Sequence, residues 1–434
     1  MSNDFSRRTF LKGAAAASAG LITVPALGQG GRRSSDRIRF AIVGVGGRGE
    51  ANLRSAAQHG DIVALCDIDA ERRAKALVEF PDAATFEDFR RMLDAMRGQI
   101  DAVVVSTPDH THAPAAAMAM HYGKHVYVEK PLTRTIGEAR RLAEIAARNR
   151  VITQMGNQGT SHPALRKAVA VLQTGVYGYP REIHCWTNRA GGWWPQGVER
   201  PAPGTKPRTV DFDLWLGPSP ERPYAAGYHP FAWRGWWDFG SGALGDIGCH
   251  CMNLPFMAFD LRDPLTIQAE TSGHNKDSFP AWSIVTYEFG PRGSRPPTRM
   301  IWYDGGKKPS PELVNGEPLD DNGCIIVCEK ATLYSRGEYG GTNKLVGGRE
   351  LPDVPFEVSP GHFEEFAQGI LTGKRPRGHI PTYSGALTET VLLGNLAVWA
   401  SGERLQWDAR RLRVPGRPEF DELIRPKYRE GWSL

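Results

Sequence analysis

The feature that most constrains this chain is Gly44-Val45-Gly46-Gly47-Arg48-Gly49, which follows directly on the apolar run 38–43 and precedes a stretch of helical period. Glycines so placed permit a tight turn and bring backbone N–H groups close to a pyrophosphate, whose charge the N-terminus of the following helix favours. Alone, the pattern says little, because short glycine-rich turns are common. Here Asp67 closes the next apolar run, 23 residues after Gly44. A carboxylate there accepts hydrogen bonds from the ribose hydroxyls of NAD and repels the 2′-phosphate of NADP. The sequence therefore predicts an NAD site built on Gly44, Gly46, Arg48, Gly49 and Asp67, with Arg72 and Arg73 keeping NADP open. Asp67 could instead cap a helix, a role that Asp69 fills at least as well.

Runs at 38–43, 62–65, 102–105, 125–128 and 151–154 read as buried parallel strands separated by helical stretches, one of which opens on the capping box Thr135-x-x-Glu138. This alternation predicts an α/β fold whose first domain, 37–155, is a doubly wound parallel sheet. The texture then changes. A helix near 161–173 and a strand near 182–188 lead into a Pro/Gly/Trp-rich stretch reaching about residue 242. Strand-like runs follow at 265–271, 282–289, 298–303 and 324–328, and late helices at about 361–371 and 383–401. Residues 156–410 thus read as an α+β domain with a large, mostly antiparallel open sheet, and 411–434 as a C-terminal tail. Too few helices cover that sheet, and Trp282 and Trp302 are expected as spare aromatics, so self-association into a homo-oligomer is expected.

The first 31 residues are an address rather than fold. Ser6-Arg7-Arg8-Thr9-Phe10-Leu11-Lys12 precedes an apolar run from 13 to 24 and a small-x-small pattern at 26–28, which resembles a twin-arginine export signal and implies the periplasm. That run is too short to span a bilayer, and no cysteine near it offers a lipid anchor, so no stable membrane anchor is expected. Of the net charge of +5, this segment holds +2, from Arg7, Arg8 and Lys12 against Asp4, which leaves no bulk charge to support nucleic-acid binding.

Two further motifs carry chemistry. Thr107-Pro108 with His112 follows the fourth strand, and Glu129-Lys130-Pro131 ends the fifth. In an open parallel sheet both face the crevice beyond the strands' carboxyl ends. Gly240-Ser241-Gly242 then leads to Asp246 and His250, four apart and so on one face of a helix. A carboxylate beside an imidazole raises its basicity and orients it for proton removal from an alcohol. Read alone, that pair is as well a structural hydrogen bond or half of a metal site.

Together these motifs resemble the Gfo/Idh/MocA family (glucose-fructose oxidoreductase, inositol dehydrogenase, MocA) over nearly all of the chain after the signal. The resemblance implies a nicotinamide-dependent oxidoreductase with Lys130, Asp246 and His250 catalytic, and with Thr107, Pro108, His112, Glu129 and Lys130 beside the cofactor. Many members carry a second aspartate three residues after the histidine, where this chain has Asn253.

Seven of the twelve tryptophans fall between Trp186 and Trp237. Aromatic faces stack on the C–H faces of sugar rings, although a core role is at least as good a reading for most of them. Asn157, Trp186, Arg189 and Trp237 are taken as the substrate contacts. The six cysteines are expected to form no metal centre, since Cys249-His250-Cys251 would compete with the role given to His250. The chain is thus expected to move hydride between a carbinol carbon of a sugar, glycoside or polyol and a tightly held NAD. The alternatives are a glycosidase working by transient oxidation and elimination, and a non-catalytic sugar or cofactor binding protein.

Overall fold

The computed structural model describes residues Arg37–Leu434; the export signal lies outside them. Six parallel strands form the first sheet: β1 Ile38–Val43, β2 Gly60–Cys66, β3 Ala84–Phe86, β4 Ala102–Val105, β5 His125–Glu129 and β6 Thr153–Gly156, ordered β3-β2-β1-β4-β5-β6. Helices α1 Arg48–Ala57, α2 Ala70–Glu79, α3 Phe89–Ala95, α4 Asp109–His121 and α5 Ile136–Asn149 connect them. Strand β1 is apolar at nearly every position because it packs on both faces. Ile38, Phe40 and Ile42 join one hydrophobic cluster while Ala41 and Val43 join another. The expected strand at 151–154 lies two residues later, and the short edge strand β3 was not expected. Asp69, not Asp67, caps α2, accepting from the Glu71 N–H, and at α5 the Glu138 carboxylate accepts the Thr135 N–H at 2.9 Å.

Past α6 Pro163–Gln173, β7 Pro180–Thr187 enters the second sheet. A long excursion follows, holding the short α7 Phe212–Leu216, then α8 Gly242–Cys251 and α9 Asn253–Phe259. Strands β8 Thr266–Thr271, β9 Ser283–Phe289, β10 Thr298–Tyr303, β11 Asn322–Cys328, β12 Thr332–Arg336 and β13 Thr342–Leu345 precede α10 His362–Thr372, α11 Gly385–Trp399 and β14 Arg404–Gln406. The eight strands run β13-β12-β11-β7-β10-β9-β8-β14, antiparallel except for β10 beside β7. Helix α10 returns to the first sheet, where Phe363 and Phe366 meet Tyr127 and Phe40. Removing Phe366 from water contributes roughly 2 to 3 kcal/mol.

Strand alternation corrects two aromatic expectations. In β7, Cys185 faces inward against Cys251 and Cys324, so Trp186 points to the opposite face. There it is fully buried with Val314, Ile325 and Tyr334, and its indole donates to the Asp320 carbonyl at 2.8 Å. Trp302 is not spare either, being buried with its N–H on Asp304 Oδ2. All six cysteines are free and buried, and among the described residues no group of His, Cys, Asp and Glu is placed to hold a metal. No helix among them is long and apolar enough to cross a membrane.

Candidate active site

Beyond the carboxyl ends of β1, β2, β4 and β5 lies a cleft of about 620 Å³. Its floor is the glycine turn. Gly44 has φ +85°, and a Cβ there would sit 2.7 Å from the Ser106 carbonyl oxygen. At Gly49 a Cβ would fall 1.9 Å from the Gly44 oxygen, so this glycine serves close packing of α1 and does not line the cleft. Gly46, Arg48 and Asp67 do line it. Helix α1 starts with no side-chain cap; the Gly49 and Glu50 N–H groups reach the Gly46 and Gly47 carbonyls, and the positive end of the helix dipole lies at Gly46-Gly47-Arg48, which line the cleft and favour an anion there. Asp67 Oδ2 accepts from the Val45 N–H and Oδ1 from the Asp69 N–H, fixing the carboxylate beside the turn. Burial pushes its pKa up against those two bonds. Of the two arginines that keep NADP open, Arg72 packs over Gly46 at the cleft wall, whereas Arg73 is turned to the Asp67 carbonyl.

Thr107, Pro108, His112, Glu129 and Lys130 all border the same cleft, in two different ways. Thr107 Oγ1 is buried without a hydrogen-bond partner, a donor and acceptor left for a ligand. The His112 ring lies between the carbonyls of Pro131 at 2.9 Å and Thr107 at 2.7 Å, so it ties two loops together. Glu129 accepts from Arg48 Nε at 3.1 Å and from Asn52 at 2.9 Å, holding α1 against β5. The polar atoms of His112 and Glu129 thus have protein partners, while both residues still border the cleft.

A roof closes this end of the cleft. Segment 209–239 pairs its backbone with the residues after Asp67, through Asp211 N–H to the Ile68 oxygen at 3.0 Å and Ala70 N–H to the Thr209 oxygen at 2.9 Å. Buried His110 pins the same segment to α4, its ring lying between the carbonyls of Phe239 at 3.1 Å and Trp215 at 2.7 Å.

Lys130, Asp246 and His250 meet in the cleft. Lys130 Nζ donates to Asp246 Oδ1 at 2.6 Å and to the Asp246 carbonyl at 2.9 Å. An ammonium carries three donors, so one remains. Arg234 Nε lies 3.4 Å from Asp246 Oδ1 and Arg189 Nη1 3.5 Å from Oδ2. Burial would raise the Asp246 pKa, but Arg234, Lys130 and Arg189 outweigh it and hold the carboxyl well below the usual carboxylate range. Asp246 therefore anchors cations. It does not orient His250 as the four-residue spacing predicts.

That role belongs to Asn157, whose Oδ1 lies 2.6 Å from His250 Nδ1. The Asn157 amide nitrogen donates to the Cys249 carbonyl at 2.6 Å, so Oδ1 is the acceptor and Nδ1 carries the proton. His250 Nε2 is left with its lone pair. Burial, then the Lys130 charge, push the His250 pKa well below its ordinary value, so the ring is neutral. Asn157 itself does not line the cleft, and its expected substrate contact is corrected to positioning. Trp237 is also absent from the lining; it stacks on Phe279 at 3.7 Å and donates to the Ser278 carbonyl. Arg189 lines the cleft, as do Trp193, Trp194, Trp233, Gln158 and Tyr339. Gln158 and Tyr339 carry no spacing signal, although Tyr339 sits in the glycine-rich run 337–341.

The buried imidazoles make the fold sensitive to acid. An unfolded chain protonates histidine below about pH 6.5. In the folded protein, burial lowers the pKa of His110, His229 and His362 to about 4, and that of His250 well below its ordinary value. Between those limits the unfolded state binds more protons, so stability is lost as pH falls from 6.5 toward 4. The thermal midpoint is expected to drop by roughly 5 °C or more from pH 7 to pH 5, measured by calorimetry at constant ionic strength.

A crevice beyond the carboxyl ends of a six-stranded parallel sheet, lined by a glycine turn and by Lys130, Asp246 and His250, defines a Rossmann-type nucleotide-binding fold with a cluster of polar groups at its cleft. The chain belongs to the Gfo/Idh/MocA family. Residues 38–157 match its "Oxidoreductase family, NAD-binding Rossmann fold", 160–295 its "C-terminal alpha/beta domain", and 4–23 match a twin-arginine translocation signal sequence. Similar proteins include a UDP-N-acetylglucosamine 3-dehydrogenase of Acidithiobacillus ferrooxidans, 29% identical over 41% of this chain and 49% of its own. An inositol 2-dehydrogenase of Rubrobacter xylanophilus is 33% identical over 37% of this chain and 46% of its own. The chain spans about half the length of the curated relatives it matches. Among solved structures, the WlbA dehydrogenase of Bordetella pertussis, in complex with NADH and UDP-GlcNAcA, shares the fold at TM-score 0.61 and 18% identity, covering 86% of this chain and 99% of its own.

Proposed function

We propose that this protein is an exported, NAD-dependent oxidoreductase acting on a CH–OH group of a sugar, glycoside or polyol. The observation that carries the reading is the meeting of Lys130, Asp246 and His250 in the same cleft as the glycine turn and Asp67. That turn, the uncapped start of α1, the fixed Asp67 carboxylate and the unpartnered Thr107 hydroxyl fit the pyrophosphate, ribose and amide groups of NAD. Bound NAD supplies a hydride acceptor. Lys130 uses its free donor to hold the reacting hydroxyl and to stabilise negative charge on its oxygen. His250 Nε2 accepts the hydroxyl proton, with Asn157 fixing the tautomer that leaves this nitrogen open. Asp246 keeps Lys130 in place and balances its charge. The twin-arginine match supports delivery to the periplasm with the protein already folded.

The reading is tested by incubating purified protein with a panel of glycosides, sugars and polyols in deuterated buffer. Reduced nicotinamide is expected with at least one substrate, with C–H exchange next to the carbon where a ketone forms, and nicotinamide that stays oxidised with every glycoside, sugar and polyol offered would contradict the reading. A glycosidase working by transient oxidation is a second reading, favoured by a similar "Glycosyl hydrolase family 109 protein" of Saccharopolyspora erythraea, 32% identical over 41% of this chain and 44% of its own. Release of free sugar in the same reactions selects it.

NAD is expected to bind more tightly than NADP, and Asp67→Ala to narrow the gap, as read by titration of the two cofactors. Tighter NADP binding by the unmodified protein would place control with Arg72. Self-association is supported by the outer face of the second sheet, where Ile284, Thr286, Ile301 and Tyr303 remain half-exposed. Light scattering at micromolar concentration is expected to give a mass above that of one chain.

A further inference from the structure

Among the described residues, the large aromatic side chains left exposed are Tyr179, Trp193, Phe231 and Tyr339, and all but Tyr179 border the active cleft. Exposed rings are unfavourable in water, and their concentration at a concave site marks a surface that a ligand covers. Two of them are tied to the catalytic groups. Trp193, 54% exposed, lies over the Arg189 guanidinium at 4.3 Å, and Arg189 is held by Glu338 at 2.7 Å and approaches Asp246 at 3.5 Å. Tyr339, 42% exposed, sets its ring edge-on to His250 at 4.7 Å. Tyr339 touches His250 directly, whereas Trp193 is linked to Asp246 through Arg189. Each is carried on a glycine-containing turn, with Gly191 at φ +77° before Trp193 and Gly340 at φ +68° after Tyr339.

We propose that Trp193 and Tyr339 form an outer subsite for a second ring, so that the substrate is a glycoside carrying either another pyranose or an aromatic aglycone, not a free monosaccharide. This rests on the sugar-oxidising reading above. Both kinds of second ring present a flat face of C–H or π character to an aromatic wall. The oxidised ring meets Lys130 and His250, while the second ring extends from the glycosidic linkage toward Trp193 and Tyr339. Arg189 couples the two positions: it braces Trp193 from beneath and adds positive charge beside Asp246.

The test uses NAD-loaded protein carrying Lys130→Ala, which keeps ligands intact during titration. Glucose, galactose and mannose are offered as methyl glycoside, p-nitrophenyl glycoside and disaccharide, with affinity read by calorimetry and tryptophan fluorescence. At least one two-ring ligand is expected to bind roughly tenfold or more tightly than its methyl glycoside. Trp193→Ala is expected to remove most of that ratio, and Trp193→Phe, which keeps a ring over Arg189, to retain most of it. A ratio seen only with disaccharides identifies a second sugar, and one seen only with nitrophenyl glycosides an aglycone. Equal affinities across each set, no binding of any two-ring ligand, or a ratio that survives Trp193→Ala overturns the proposal. If the ratio holds while nicotinamide is never reduced by the unmodified protein, the oxidoreductase reading falls and the subsite stands.

Discussion

Alanine at His250 is expected to slow turnover by roughly a hundredfold or more and to leave NAD binding intact, because a positioned proton acceptor is lost while the glycine turn and Asp67 are untouched. Lys130→Ala is expected to fall in the same range. The double variant should lose far less than the product of the two, since both groups act on one hydroxyl in one transition state. The positioning role of Asn157 is separable from a merely structural one. Asn157→Asp keeps an acceptor at His250 Nδ1 and adds a negative charge, which raises the basicity of the imidazole. The acid limb of the pH–rate profile should therefore move upward. Near-normal turnover by His250→Ala on a confirmed substrate would return that residue to a buried structural contact.

Asp246→Asn is expected to lower stability by about 3 kcal/mol and also to impair turnover, because it removes the negative charge that three cations share. The loss is uneven. Arg189 retains Glu338 and Arg234 retains Asp109, whereas Lys130 keeps only the residue-246 carbonyl. Denaturation in urea reads the stability. Turnover by the fraction that remains folded reads the misplacement of Lys130. A variant as stable as the parent would mean that burial of the carboxylate, not its pairing, dominates the balance at this site.

The parallel sheet was legible because β1 and β4 are apolar on both faces and leave few other readings. Short edge strands such as β3 and β14, three residues each, carry too little pattern to be found that way. At the site, the motif residues Lys130, Asp246 and His250 converge, but their pairing could not be read from spacing. The four-residue rule puts Asp246 and His250 on one face of α8, yet His250 is claimed by an asparagine 93 residues away, and Asp246 by a lysine 116 residues away. Trp186 failed for a local reason: Cys185 needs the inner face of β7, so its neighbour goes outward. Of the tryptophans that do reach the cleft, Trp193, Trp194 and Trp233 lie outside any strand or α-helix and Trp215 on the five-residue α7, so no sustained period fixes their direction.

The central claim is that Lys130 and His250 remove a hydroxyl proton as hydride passes to NAD. It is tested most directly by mixing NAD-loaded protein with a panel of sugars, glycosides and polyols and following reduced nicotinamide in a single turnover. The account predicts reduction by at least one member of the panel, slowed by roughly a hundredfold or more in Lys130→Ala and His250→Ala, with the dinucleotide still bound in both. Bound nicotinamide that stays oxidised across the panel, or equal rates in the two variants and the parent, would contradict it.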